Sequence, residues 1–390
     1  MEVVSIILRH VRLKLRRPVK HASHARTETD NLIVSCQLSD GKIGYGEGVP
    51  RDYVTGETIE GAFELLKISE LKKLLLPAAD FETAVRNAEH FQLPAIAGDD
   101  RNCRTNAARC AVELAYLDAF GQSFGEPVMN ATKLIAPELY EPRERVQYSG
   151  IILSAKGWKA RLAAIGYRVM GFRQVKVKVG IPGHDDAKRL KAIRRCVGSA
   201  MDLRVDANEA WSATDAAEKI LSLDPFGVRC VEQPVPHELV QSLKSIRERT
   251  GVPLLLDESL CSMTDAERAV QGGFGDLFNL RLSKCGGFIP TLKLAAYALQ
   301  NGLGYQLGCQ VGESGILSAA GRQFATSVKN IRALEGSFDR YLLPNSLLTE
   351  GISFSRRGGW APMLLGTGLG ARIDPAQLDA ATVRREVLFA

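Results

Sequence analysis

Five polar residues, each closing a short run of β-forming side chains, recur at nearly even spacing along this chain. They are Lys178 in Val-Lys-Val-Lys-Val, Asp206 in Leu-Arg-Val-Asp-Ala-Asn, Glu232 in Cys-Val-Glu-Gln-Pro, Asp257 in Leu-Leu-Leu-Asp-Glu-Ser and Lys284 in Leu-Arg-Leu-Ser-Lys-Cys-Gly-Gly. The intervals of 28, 26, 25 and 27 residues match a strand, a helix and two short connections, so the pattern reads as consecutive βα units. Residues at the carboxyl ends of parallel barrel strands converge on one mouth. Taken singly, each could cap a helix or sit in a solvated turn. Five in register point to chemistry, because buried like charges are costly unless a metal or counter-charges offset them.

Asp206, Glu232 and Asp257 offer oxygen donors only, which suits Mg²⁺ or Mn²⁺ and not Zn²⁺. The six histidines, His10, His21, His24, His90, His184 and His237, include no H-x-H or H-E-x-x-H pair, which argues against a zinc hydrolase. The lysines would supply the base. Strand alternation in Lys176-Val-Lys178 puts both amines on one face, here inward, and neighbouring ammonium groups lower each other's pKa. A lysine so poised can take a proton near neutral pH. Removing a proton α to a carboxylate builds two negative charges on an enediolate, which a divalent cation stabilises. Lys284, four strands further round, would face the other side of the carbon.

The elements that must hold these residues are legible on either side of them. Residues 1 to about 50 read as strands, with Ser39-Asp40-Gly41-Lys42 as a hairpin turn. From Thr58 to Phe120 the period becomes helical, and an alanine-rich segment from Ala107 ends near Gly121. A three-stranded meander followed by helices makes an α+β domain over residues 1–125. Residues 126–345 read as a (β/α)8 barrel: Gln147 to Ile152 is the first strand, the five units follow, and Tyr305 to Cys309 and Asn330 to Leu334 are the seventh and eighth. Residues 346–390 are Gly-rich and strand-like. The spacing of Gly366, Gly368 and Gly370 follows no clean strand and opens no helix, so it reads as a structural turn and not a phosphate loop.

Bulk properties narrow the class. A chain of 390 residues with 45% apolar and 24% charged content suits one large domain plus a smaller one. The net charge of +6 is spread among acids, which excludes a nucleic-acid-binding block; Arg9 to Lys20 alternates with Val11, Leu13 and Leu15 and reads as one polar strand face. The eight cysteines contain no C-x-x-C pair and read as reduced core thiols. An early acid and a short apolar run exclude a signal peptide, and no run reaches the roughly 18 residues of a membrane span. A cytoplasmic protein is expected.

Lys176-x-Lys178, Asp206 in Val-Asp-Ala-Asn, Glu232 in Glu-Gln-Pro, Asp257 in Asp-Glu-Ser and Lys284 together resemble the enolase superfamily, specifically its muconate lactonizing enzyme subgroup. The resemblance spans nearly the whole chain. Tyr45-Gly46-Glu47 and Tyr53-Val-Thr-Gly-Glu57 are similar to its capping domain, Gly308-Cys309 with Glu313 to its seventh strand end, and Gly368-Leu-Gly-Ala-Arg to its returning C-terminal segment. It implies a modified barrel under an N-terminal α+β cap, with Asp206, Glu232 and Asp257 ligating Mg²⁺ and Lys178 and Lys284 as the acid/base pair. Lys176 would tune Lys178 and bind a small-molecule carboxylate substrate, with Asn208 and Glu313 as further substrate-side residues; a turn and a helix cap are their structural alternatives. Arg16 to His24 matches a loop that closes over substrates, where His21 and His24 either touch the ligand or stand solvated. A symmetric homo-oligomer is also implied. Dipeptide epimerases of the subgroup typically carry Asp-x-Asp after the eighth strand. This chain has Ala333-Leu-Glu335-Gly-Ser-Phe-Asp339 instead.

The expected activity is therefore α-proton abstraction by a metal-dependent isomerase. Two-base racemisation or epimerisation, of dipeptides or N-acylamino acids, leads. Muconate-type cycloisomerisation or o-succinylbenzoate synthase-type dehydration is the alternative. A Schiff-base aldolase leaves three carboxylates idle, and a non-catalytic barrel has no reason to hold such costly charges.

Overall fold

The computed structural model describes residues 1–20, 25–155 and 157–390. The chain opens with three antiparallel strands, β1 (Val3–Lys20), β2 (Ala25–Leu38) and β3 (Ile43–Gly48). Alternation dictates their faces: Val11, Leu13 and Leu15 are buried while Arg12, Lys14 and Arg16 are exposed. On the buried face lies the helix Asn106–Phe124. Its alanines meet the glycines of Gly44-Tyr-Gly46-Glu-Gly48, where a Cβ would fall 2.1 Å from Ala119 N, 2.0 Å from Ala111 O and 2.0 Å from Ala107 O. Helix and strand backbones touch there, and no larger residue fits. Thr105 makes no side-chain cap for this helix; the buried Glu57 accepts hydrogen bonds from Ala107 N at 2.8 Å and from Thr55 Oγ1 at 2.7 Å instead.

A short strand β4 (Arg145–Gln147) precedes eight parallel strands in sequential order: β5 (Gly150–Ile152), β6 (Gln174–Lys178), β7 (Asp202–Asp206), β8 (Val228–Glu232), β9 (Leu254–Leu256), β10 (Leu277–Leu280), β11 (Gly304–Leu307) and β12 (Ile331–Leu334). Helices of 8 to 13 residues follow β5 to β11, whereas β12 is followed by the single turn Asp339–Leu342. The expected first strand from Gln147 to Ile152 is in fact two. Tyr148 N donates to Gly359 O at 2.9 Å, so Gln147 pairs with the later strand β13 (Trp360–Pro362), and the barrel strand begins at Gly150. No ladder joins β5 to β12 among the described residues. The sheet curls shut through Ser149 N to Leu334 O and Gln174 Nε2 to Arg332 O, both 2.8 Å.

The last strand, β14 (Thr382–Phe389), returns to pair with β1, giving the N-terminal sheet four strands in the order β14-β1-β2-β3. Before it, Gly368 packs on the long helix: Leu369 N donates to Asp118 Oδ1 at 2.8 Å, and a Cβ on Gly368 would fall 2.1 Å from that oxygen. The N-terminal domain also caps two barrel helices. Buried Glu47 accepts from Ser314 N, Ser314 Oγ and Leu317 N at 2.8, 2.6 and 2.9 Å, opening the helix Gly315–Ser327. Glu113 likewise accepts from Phe288 N and Ile289 N, opening Phe288–Gln300. Among the described residues no helix is long and apolar enough to cross a membrane.

Candidate active site

A cavity of about 470 Å³ opens at the carboxyl ends of the barrel strands, beneath Arg17, Val19, Tyr53 and Val54 of the N-terminal domain. Lys176, Lys178, Asp206, Asn208 and Glu313 line it. Glu232, Asp257 and Lys284 do not; they are fully buried behind it, at 1, 0 and 1% exposure. Lys178, Asp206 and Glu232 end β6, β7 and β8, Asp257 directly follows β9 and Lys284 stands in the turn after β10.

The carboxylates are neutralised by cations from neighbouring strands. Lys176 Nζ bridges Asp206 Oδ2 at 3.2 Å, Glu232 Oε2 at 3.3 Å and Glu335 Oε2 at 2.6 Å. Arg281 bonds Asp257 and comes within 3.7 Å of Glu232 Oε1. Lys284 Nζ donates to Asp257 Oδ1 at 2.9 Å and to the carbonyls of Asp257 and Asn279 at 2.7 and 2.8 Å. Asn279 Nδ2 donates to Glu232 Oε1 at 2.9 Å. Burial opposes the charged Asp206, but Lys176, Lys178 and Arg281 outweigh it and lower its carboxyl, whereas burial and the neighbouring Asp206 raise Glu232. On chemical grounds the acids fit a divalent cation: three buried carboxylates on consecutive strands, no nitrogen or sulfur ligand among them, and a demand for positive charge.

The two lysines of Lys176-Val-Lys178 share the inward face but not a protonation tendency. Burial, opposed by Asp206 and assisted by Lys176, lowers the Lys178 pKa. Burial also works against the charged Lys176, but Glu232, Glu335 and Asp206 outweigh it and raise its pKa. Mutual lowering thus acts on one member of the pair, because the other is ringed by acids. Burial lowers Lys284 as well.

Asn208 takes a positive φ of 45° and its backbone N–H donates to Asp206 Oδ1 at 3.0 Å, so the turn residue and the cavity residue are the same side chain. Glu313 Oε1 accepts from Gln310 N at 2.6 Å, and burial pushes its carboxyl up to about 8; the side-chain caps of the next helix are Ser314 and Glu47. Glu335 is committed to Lys176 and to Arg204 Nη1 at 3.0 Å, leaving Asp339 as the acid after β12 that faces the cavity with Oδ2 unpartnered. His21 and His24 lie outside the described residues.

Several residues escaped the sequence reading. Arg204 stands two places before Asp206 on β7, as Lys176 does before Lys178, and the strand period could have flagged it. Arg281 had no such signal. One flank of the cavity is aromatic: Phe172, Phe338 and Tyr341 gather round Phe354 with ring centroids 6.3, 5.5 and 5.3 Å away. They come from connections and the C-terminal segment, which carry no periodic signal.

A parallel barrel with three acids at consecutive strand ends and lysines on either side of them defines a class of metal-assisted proton-transfer enzyme. Residues 159–377 match the family model described as "Enolase C-terminal domain-like". The N-succinyl-L-Arg/Lys racemase of Bacillus cereus is 30% identical over 336 residues, 86% of this chain and 87% of that one. Its crystal structure superposes with a TM-score of 0.84 over 99% of this chain and 100% of the other. The hydrophobic dipeptide epimerase of Enterococcus faecalis is 29% identical over 92% of this chain and 96% of its own. The dipeptide epimerase of Cytophaga hutchinsonii, solved with Mg and D-Ala-L-Val, is 26% identical with a TM-score of 0.83 and full coverage of both chains. The chain belongs to the enolase superfamily. It is an enzyme of the racemase and epimerase type within the muconate lactonizing enzyme group.

Proposed function

We propose that this enzyme inverts the α-carbon of an N-acylated amino acid, dipeptides included, by removing the α-proton on one face and returning one on the other. Asp206, Glu232 and Asp257 would hold Mg²⁺ or Mn²⁺, which when bound supplies positive charge to the substrate carboxylate as the proton leaves. Lys178 is the base on the cavity wall. Lys176, fixed by three acids, keeps its charge and draws the carboxylate into place. Lys284 stands across the barrel, behind the cavity lining, with its amine on Asp257. The aromatic flank round Phe354 suits an apolar part of the substrate, while Asp339 suits a donor such as an ammonium or amide N–H. The relatives that act on N-succinyl amino acids and on dipeptides support both choices.

The observation that carries the reading is that Lys178 and Asp206 share one cavity wall, backed by two further acids and a second lysine four strands on. A second reading has its own support: Lys284 does not line the cavity, as one-base cycloisomerisation or dehydration would allow. Proton NMR in D₂O with Mg²⁺ separates them, using N-succinyl amino acids, dipeptides of both configurations, and muconate. The proposal expects EDTA-sensitive loss of the α-proton signal from both configurations of one substrate class. Lys284→Ala should then keep exchange from a single configuration. Exchange from neither class by metal-loaded enzyme would sink the proposal, exchange from one configuration only by the native enzyme would favour one-base chemistry, and a Lys284 variant with equal exchange from both configurations would remove Lys284 from the role of second base.

A further inference from the structure

Cys103 precedes the helix Asn106–Phe124 of the N-terminal domain, and Cys261 follows β9 of the barrel. Both are buried, at 3 and 0% exposure. With Val54 they form a small apolar cluster separate from the main core. Among the described residues no other cysteine belongs to this cluster. Each also touches the same short segment: Cys103 Sγ lies 3.7 Å from Thr55 O and Cys261 Sγ 3.9 Å from Val54 O. The frame on either side is stiff. Arg101 binds Asp265 at 2.8 Å and the Glu258 carbonyl at 2.7 Å, and Asn106 Nδ2 donates to the carbonyls of Cys261 and Lys284 at 2.7 and 2.6 Å. Neither Cys103 nor Cys261 lines the cavity.

We propose that Cys103 and Cys261 are a modification site, forming a reversible disulfide with a small peroxide as oxidant and tying the two domains together beside the active site. Tyr53 and Val54 line the cavity, and Val54 packs on the sulfurs, so a molecule as small as hydrogen peroxide has only that layer to pass. Cys261 is the attacking sulfur: the neighbouring Cys103, with Lys284 and Arg101, holds its thiol down to about 7 against the effect of burial. Its thiolate attacks one peroxide oxygen, the O–O bond breaks, and the departing hydroxide takes up the thiol proton as water, leaving a sulfenic acid. Cys103 then attacks the Cys261 sulfur, the S–O bond breaks, and hydroxide leaves with the Cys103 proton as a second water. The two thiols lose two electrons and the peroxide gains them. The bond would fix the Tyr53-Val54 border of the cavity and, through Asn106, the turn that carries Lys284.

The test is a hydrogen peroxide titration of the full-length protein. It is followed by alkylation, a thiol count after denaturation, and mass spectrometry of a non-reduced digest. The count should fall from eight, the number in the chain and all free in the structure, to six. One cross-linked peptide pair should contain Cys103 and Cys261, Tm should rise, and dithiothreitol should reverse all three changes. Cys103→Ser should stop at a dimedone-reactive sulfenic acid on Cys261. Eight thiols after treatment, a disulfide between any other cysteines, or Cys261 oxidised without a cross-link in the native protein would each overturn the proposal. The native digest decides even if the variant fails to fold.

Discussion

Lys178 and Lys284 close similar stretches of sequence yet end in different surroundings, one on the cavity wall and one behind it. Lys284 is held there by Asp257 and the Asn279 carbonyl, while the Arg281 guanidinium, on the cavity side, bonds Asp257 and approaches Glu232. It performs the neutralisation that a bound divalent ion would perform. Arg281→Met should therefore destabilise the metal-free protein by about 1–3 kcal/mol, since Asp257 loses one charged partner and keeps Lys284, and excess Mg²⁺ should recover most of that loss. Unfolding in EDTA and in Mg²⁺ measures it. Equal destabilisation in both would mean that Arg281 is an ordinary structural ion pair.

Among the elements, β3 and the helix Asn106–Phe124 have the least tolerance. Gly46→Ala places a Cβ 2.0 Å from Ala111 O and 2.5 Å from Ala115 N, both backbone atoms that cannot rotate away. The expected cost is about 3 kcal/mol or more, read from the denaturant midpoint; a loss under about 1 kcal/mol would show that the helix shifts freely. The start of the same helix carries a pH dependence. Burial raises the Glu57 carboxyl from its ordinary 4.5 to about 8 in the folded protein. A carboxyl raised by folding binds its proton more tightly in the native state, so its stabilisation is complete below about pH 4.5 and is lost as pH climbs through 8. Glu57→Gln removes that dependence. The stability difference between the native protein and this variant should decline steadily over that window, and a flat difference would place the ionised carboxylate in the native fold.

At the scale of the whole molecule, two devices join the domains: β14, which carries the end of the chain back to the N-terminal sheet, and the glutamates that cap barrel helices from the other domain. Both predict one cooperative transition. Near-UV and far-UV signals should melt together, and two separated transitions would refute the coupling. Removal of residues 382–390 bares the edge of β1. It should lower Tm and cause concentration-dependent association, as an unpaired edge invites. Light scattering across a dilution series reads that outcome.

The sequence by itself determined the βα repeat, the three carboxylates at consecutive strand ends and the inward pair Lys176 and Lys178, because strand alternation and the length of a βα unit are local steric properties. The polar face of β1 was legible for the same reason. Only the tertiary structure decided that Glu335 serves Lys176 and Arg204, that Arg281 screens Asp257, and that Cys103 meets Cys261 from the other domain. Those pairings depend on how the barrel closes and how the cap sits on it. The break at Tyr148 and Ser149 is the same lesson in the backbone: their N–H groups went to partners more than 180 residues away, which no local pattern encodes. Burial lowers the pKa of Lys178, and the ring of acids reverses that effect for Lys176, since desolvation and nearby charge act through space and not along the chain.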